Sequence, residues 1–172
     1  MAASPFTQLL TGFGWLVFNR KGTPPFFYFH TFWLYLEQKG LILDQLKTKG
    51  SVFYSQVDVT HESEVEKEVH DLIKRFGRLD GVFHLAGILH DQFFVNKDWQ
   101  SFREVLDVKI KGAYSLHRAT QHLDLKHFVL FSSTASVLGN WGQTDYAAAN
   151  SFLDQFAFAR NDWLKKGLCK GK

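Results

Sequence analysis

The sequence predicts an α/β fold, a parallel sheet flanked by helices, and two observations predict it. From residue 51 onward short apolar runs alternate with longer amphipathic segments. Those segments are long enough to serve as crossovers, which parallel strands need and antiparallel hairpins do not.

The first regular element is the alternating run from Ser51 to Asp58, which reads as a strand. The segment after it places Val65, Val69, Leu72, Ile73 and Phe76 on one helical face, with Glu62, Glu64, Glu66 and Lys67 mostly off that face. Thr60 stands where an N-cap belongs. The apolar run from Gly81 to Ala86 reads as the next strand. A second helix fits Trp99 to His122, with Phe102, Val105, Leu106, Ile110, Ala113 and Leu116 as its buried stripe. The run from His127 to Ser132 reads as a buried strand. A last helix fits Tyr146 to about Lys165 and carries Ala149, Phe152, Leu153, Phe156 and Leu164. Strands and helices in this order wind as βαβ units, so the expected sheet is Rossmann-like, here incomplete. Ligands in such sheets bind beyond the carboxyl ends of the strands, where Ala86, Gly87, Ser132 and Ser133 fall. Residues 51–165 are the expected core, preceded by a divergent segment, 1–50, and followed by a basic tail, 166–172.

Composition narrows the function. A length of 172 residues with 45% apolar content suits one domain with a real core. The formal charge of +3 is the balance of 20 basic and 17 acidic residues spread along the chain, without the block of like charge that marks a nucleic-acid arm. The one cysteine, Cys169, excludes an intrachain disulfide, and no signal peptide is recognisable, so a reducing, cytoplasmic setting is expected. The apolar stretches at 9–18 and 26–36 fall short of the roughly 18 to 20 residues a spanning helix needs, so no membrane partner is expected. No histidine spacing makes a metal site, and Ser133 lacks the G-x-S-x-G elbow of a hydrolase.

One constellation carries chemistry. Tyr146 and Asn150 are a helical turn apart, Ser133 lies just past a strand end, and Lys109 lies on the preceding helix. Hydride reduction of a carbonyl needs a proton donor for the developing alkoxide, and a phenol serves when a nearby cation favours its anion. Tyr146 with Lys109 meets that need. The Ser133 hydroxyl is suited to hold and polarise the carbonyl oxygen, and Asn150 to orient the lysine or a proton-relay water.

The stretches "DGVFHLAGILHDQFF", "VLDVKIKGAYSLH" and "FVLFSSTASVLGNWGQTDYAAANSFLDQFA" resemble the ketoreductase domains of polyketide synthases and animal fatty acid synthase, within the short-chain dehydrogenase/reductase superfamily. Lys109, Ser133, Tyr146 and Asn150 match that family's tetrad in order and spacing. Ordinary short-chain dehydrogenases carry Tyr-x-x-x-Lys, whereas the fourth residue after Tyr146 is Asn150. The resemblance implies an NADPH-dependent 3-ketoacyl reductase, with its substrate a β-ketoacyl chain on the phosphopantetheine arm of an acyl carrier protein and other synthase domains as partners. It further implies that Asp58 and Val59 contact the adenine end of the cofactor and that His84, Ala86 and Gly87 line its ribose. Asp91 falls on the last aspartate of the Leu-Asp-Asp fingerprint of one stereochemical class, with His90 in place of the first aspartate. Leu138 stands where the opposite class carries tryptophan, and Trp141 is displaced by three residues. The implied product is the D-configured alcohol.

Two departures set a second expectation. The glycine-rich turn that receives pyrophosphate is present only as Gly12 and Gly14, with Val17 in the third position, and Arg20 comes too early to match the residue that holds the 2′-phosphate. After residue 165 the family continues into a further strand and a lid, while this sequence ends at Lys172. The expectation is a fragment cut at both ends, with weak NADPH binding and impaired activity; the alternative is a non-catalytic structural remnant of such a domain.

Overall fold

The computed structural model describes residues 15–19, 26–29 and 51–171, the first two stretches and 51–54 as backbone alone. The elements are β1 (Trp15–Asn19), β2 (Phe26–Phe29), β3 (Ser51–Tyr54), α1 (Glu62–Phe76), β4 (Gly81–His84), a 3-10 turn (Phe94–Asn96), α2 (Trp99–Thr120), β5 (His127–Leu130), the short α3 (Ala135–Leu138) and α4 (Thr144–Lys165). The glycines at 12 and 14 and Arg20 lie outside the described residues.

The five described strands form one sheet in the order β3-β2-β1-β4-β5. β2 and β3 are parallel, and so are β4 and β5, where Gly81 faces His127 and His84 faces Leu130. The β4–β5 pair, with α2 as its crossover, is the Rossmann-like arrangement that the alternation predicts. β1 differs, running antiparallel to both β2 and β4. Its link to β2, residues 20–25, is too short for a crossover, so the two strands pair as a hairpin.

α2 packs between α1 and α4, and this central place explains its two-sided burial. One core cluster joins Val65, Val69 and Leu72 of α1 to Leu116 and Ala119 of α2, with Val57, Val59 and Val82 from the sheet side. The other joins Ala113 of α2 to Leu153 and Phe156 of α4. At Gly112 α2 comes close to β4: a Cβ there would lie 2.7 Å from Cε1 of His84, so a larger residue would push the helix off the sheet.

Two local expectations need correction. Thr60 does not cap α1: its N–H and hydroxyl both donate to Oδ1 of Asp58 at 2.8 Å, and His61 takes the N-cap position, its side chain bonding Glu64 and not the helix backbone. Asp58 captures the hydroxyl because its carboxylate is two residues away, within reach of an Asx turn. The run at 127–132 is not a buried strand either; His127 is exposed and the next three residues are half-buried. β5 is at the end of the described sheet order and has β4 as its one described strand neighbour. No helix among the described residues is long and apolar enough to cross a membrane, and none of them cluster as metal ligands.

Candidate active site

The site grows from the ends of β4 and β5 and from the facing sides of α2 and α4. Lys109, on α2, is 3% exposed. Its Nζ donates to the Phe131 carbonyl, just past β5, at 2.8 Å and stands 5.9 Å from the centre of the Tyr146 ring. Burial pushes its ammonium down from 10.5 to about 8, so the cation is present at neutral pH and is lost in mild base. Gly87, past β4, makes room for it: a Cβ there would lie 3.1 Å from Cε and 3.6 Å from Nζ of Lys109.

Asn150 is fully buried one turn beyond Tyr146, and its Nδ2 donates to the Tyr146 carbonyl at 2.7 Å. Its Oδ1 is buried and has no partner among the described residues. A buried amide oxygen of this kind needs a donor, and a water or ligand hydroxyl would satisfy it. The Ser132 hydroxyl donates to the Asn150 carbonyl at 3.3 Å, which ties the end of β5 to α4. At Ser133 the Oγ accepts from the Ala135 N–H at 3.2 Å, and the carbonyl accepts from the Ser136 hydroxyl at 2.7 Å. With its oxygen held this way, the Ser133 hydroxyl can donate its proton to an incoming oxygen. Asn150 is thus bonded to the Tyr146 turn, Lys109 stands within cation–ring distance of Tyr146, and Ser133 follows the Ser132 anchor in sequence.

The other predicted site residues are more scattered. Asp58 is half-buried and shapes its own turn, its carbonyl accepting from the His61 N–H at 3.0 Å. Val59 and His84 are 4% and 0% exposed, and Nε2 of His84 stands 3.2 Å from the Lys109 carbonyl. Their side chains belong to the core, so either residue would meet a ligand mainly through its backbone. Ala86 is buried beside half-buried Gly87. Asp91 is exposed and accepts from Nε2 of Gln143 at 2.9 Å, while its neighbour His90 turns to Glu104 at 3.2 Å. Leu138 and Trp141 are 83% and 87% exposed, and Phe93 packs edge-on against Trp141.

Sequence reasoning missed one buried pair. Lys97 and Asp145, each with a side chain 1% exposed, meet at 2.6 Å. The signal was faint: a lysine just before the Asp98 cap of α2, and an aspartate just before Tyr146.

Two groups here can serve the nicotinamide and ribose end of a dinucleotide: the orphaned buried amide oxygen of Asn150, an acceptor, and the Lys109 ammonium, which has N–H groups to spare beside Gly87.

The KR domain family model matches residues 36–169. Polyketide synthase PksN of Bacillus subtilis (strain 168) is 45% identical over 126 residues, covering 73% of this chain and 2% of that protein. Among solved structures, a ketoreductase domain from the bacillaene assembly line superposes with a TM-score of 0.80 at 34% identity, over 84% of this chain and 35% of the other. An N-terminal ketoreductase from the macrolactin assembly line gives 0.75 at 30% identity, over 84% and 29%. The chain therefore spans a small part of the synthase and about a third of the solved chains it matches. A buried lysine over a tyrosine ring at the ends of a Rossmann-like sheet, with a family match over most of its length, makes this chain a member of the ketoreductase domain family of polyketide synthases, with the short-chain dehydrogenase/reductase fold.

Proposed function

We propose that this chain carries the catalytic site of an NADPH-dependent β-ketoacyl reductase, acting on a thioester held by the phosphopantetheine arm of an acyl carrier protein. The observation that carries the reading is the placement of Lys109, held by the Phe131 carbonyl and against Gly87, over the ring of Tyr146. In this reading NADPH, when bound, supplies the hydride. The backbone of Ala86 and Gly87 and the ammonium of Lys109 hold its ribose end, and Asp58 and Val59 border its adenine end. The Ser133 hydroxyl donates to the ketone oxygen and fixes it. Tyr146 gives its phenolic proton to that oxygen as the alcohol forms, and the Lys109 cation stabilises the phenolate left behind. Asn150 holds the Tyr146 turn through Nδ2 and keeps Oδ1 for the water that returns a proton.

Exposed Asp91 and Leu138 stand on the segments that border the acyl side, and the D-alcohol is the expected product. The site works in the cytoplasm beside the other domains of a synthase. The test is incubation with deuterated NADPH and a β-ketoacyl carrier-protein thioester. Deuterium on the β carbon of a D-hydroxyacyl product is the expected result; an L-alcohol overturns the stereochemical reading, and unreduced thioester overturns the enzymatic one.

The second reading, a non-catalytic module, is favoured by one observation, the antiparallel course of β1. It predicts no NADPH binding at any concentration, which a fluorescence titration of NADPH reads directly.

A further inference from the structure

We propose that Lys97 and Asp145 are positioning residues, a buried clamp that fixes the loop after β4 onto the first turn of α4 and so sets where Tyr146 stands. This rests on the reading of Tyr146 as proton donor. The pair spans 48 positions, and the Nζ of Lys97 bonds both to Oδ2 of Asp145 at 2.6 Å and to the His90 carbonyl at 2.7 Å. The other carboxylate oxygen of Asp145 accepts from the backbone N–H of Tyr146 at 2.9 Å. One side chain from the loop therefore reaches, through one carboxylate, the backbone of the candidate proton donor.

Two further bonds close the same seam. The Gln92 N–H donates to the Gly142 carbonyl at 2.9 Å, and Gln143 donates to Asp91 at 2.9 Å. Lys97 also immediately precedes Asp98, whose carboxylate caps α2 by accepting from the Ser101 N–H at 2.8 Å. α2 is the helix that carries Lys109, and α4 carries Tyr146 and Asn150. The clamp thus joins the starts of the two helices that must keep lysine and tyrosine in register.

Burying both charges is costly, and an apolar pair of similar volume would hold the two segments together at least as well. What an apolar pair lacks is direction: a carboxylate that bonds a lysine and a backbone N–H at once has one geometry, and the lysine bonded also to the His90 carbonyl has one position. Asp145 lies in the first turn of α4, where the helix dipole favours negative charge and steadies the arrangement further.

The test compares the unaltered chain with Lys97→Met and with the double variant Lys97→Met/Asp145→Leu. The single variant leaves a buried carboxylate without its cation, and loss of folding is expected. The double variant is expected to fold, with a thermal midpoint close to the parent. Its kcat for reduction of the carrier-bound thioester should fall by about 10²-fold, the scale of a misplacement near 1 Å, while KM for NADPH stays unchanged. Its Gln92 amide, which bonds neither partner of the pair, should lose hydrogen-exchange protection while Val69 and Leu72 in α1 keep theirs. A folded double variant with the parent's kcat, or with Gln92 still protected, overturns the clamp. In the unaltered chain the amides of Gln92 and Tyr146 should open with one rate, and two unrelated rates overturn the clamp even if no variant folds. If the unaltered chain reduces nothing, the proposed function fails and the exchange data alone decide the clamp.

Discussion

The two ends of the α2–α4 interface both bury basic side chains, and they use them in opposite ways. At the site end, Lys109 and Lys97 are bonded to backbone carbonyls, and Lys97 also to a carboxylate. At the far end, His117 packs against the rings of Phe156 and Trp163, with centroids 5.7 and 5.2 Å away, and Arg160 sits over Phe128 at 4.4 Å. The guanidinium also donates to the Lys170 carbonyl at 3.1 Å, which ties down the chain after α4. Directed hydrogen bonds hold a charge at one point, whereas the Phe128 face accepts the Arg160 charge over a broad area, and His117, neutral at pH 7, packs there as one more ring. The site end is therefore built for position and the far end for cohesion, and damage to each should show in a different measurement.

The largest expected effect is on the cohesive end. Phe156→Ala removes the ring that touches Tyr114, His117, Phe152 and Trp163 and should cost about 3–5 kcal/mol in denaturant unfolding. A loss below 1 kcal/mol would erase the contrast. Next, Lys109→Met should lower kcat by roughly 10²–10³-fold, the scale of losing one preorganised charge, yet leave the chain no less stable at pH 7. A destabilised Met variant would place Lys109 with the cohesive residues instead.

pH separates the ends further. The folded pKa of Lys109, about 8, is depressed below 10.5, so between these values the unfolded chain binds more protons than the folded one. The stability of the parent relative to Lys109→Met should then rise from pH 8 to 10.5, while reduction that needs the cation declines above pH 8. Unfolding midpoints that are parallel for the two chains across this window would contradict the assignment.

His117 is lowered to about 4, first by burial and then by the charges of Arg160 and Arg118. The unfolded chain takes up its proton below 6.5 and the folded chain only near 4, so this part of the stability is lost as pH falls from 6.5 to 4. His117→Gln should flatten that slope and leave the turnover at neutral pH unchanged. An unaltered acid slope in the Gln variant would remove His117 from the account.

Much of this was legible in the sequence, for identifiable reasons. α1, α2 and α4 each carry long apolar stripes, and their observed limits follow them, because a stripe of several turns leaves few other ways to be buried. Tyr146 and Asn150 were readable as one face because four residues on a helix fix that relation. The course of β1 was not readable, since strand direction depends on the neighbour and on the link, not on the strand's own residues. Nor was the Lys97–Asp145 pair: a contact across 48 positions leaves no local periodicity, and each residue alone reads as an ordinary surface charge. Thr60 was misread because Asp58 competes for its hydroxyl, a local bond that cap statistics do not weigh.

The central claim is that Tyr146, steadied by Asn150 and set beside Lys109, delivers the proton in carbonyl reduction. Its most direct test is the kcat of Tyr146→Phe against the parent chain, at saturating NADPH and carrier-bound β-ketoacyl thioester. A loss of about 10²–10⁴-fold with unchanged thermal unfolding is the predicted result. A Phe variant that reduces the thioester as fast as its parent would contradict it.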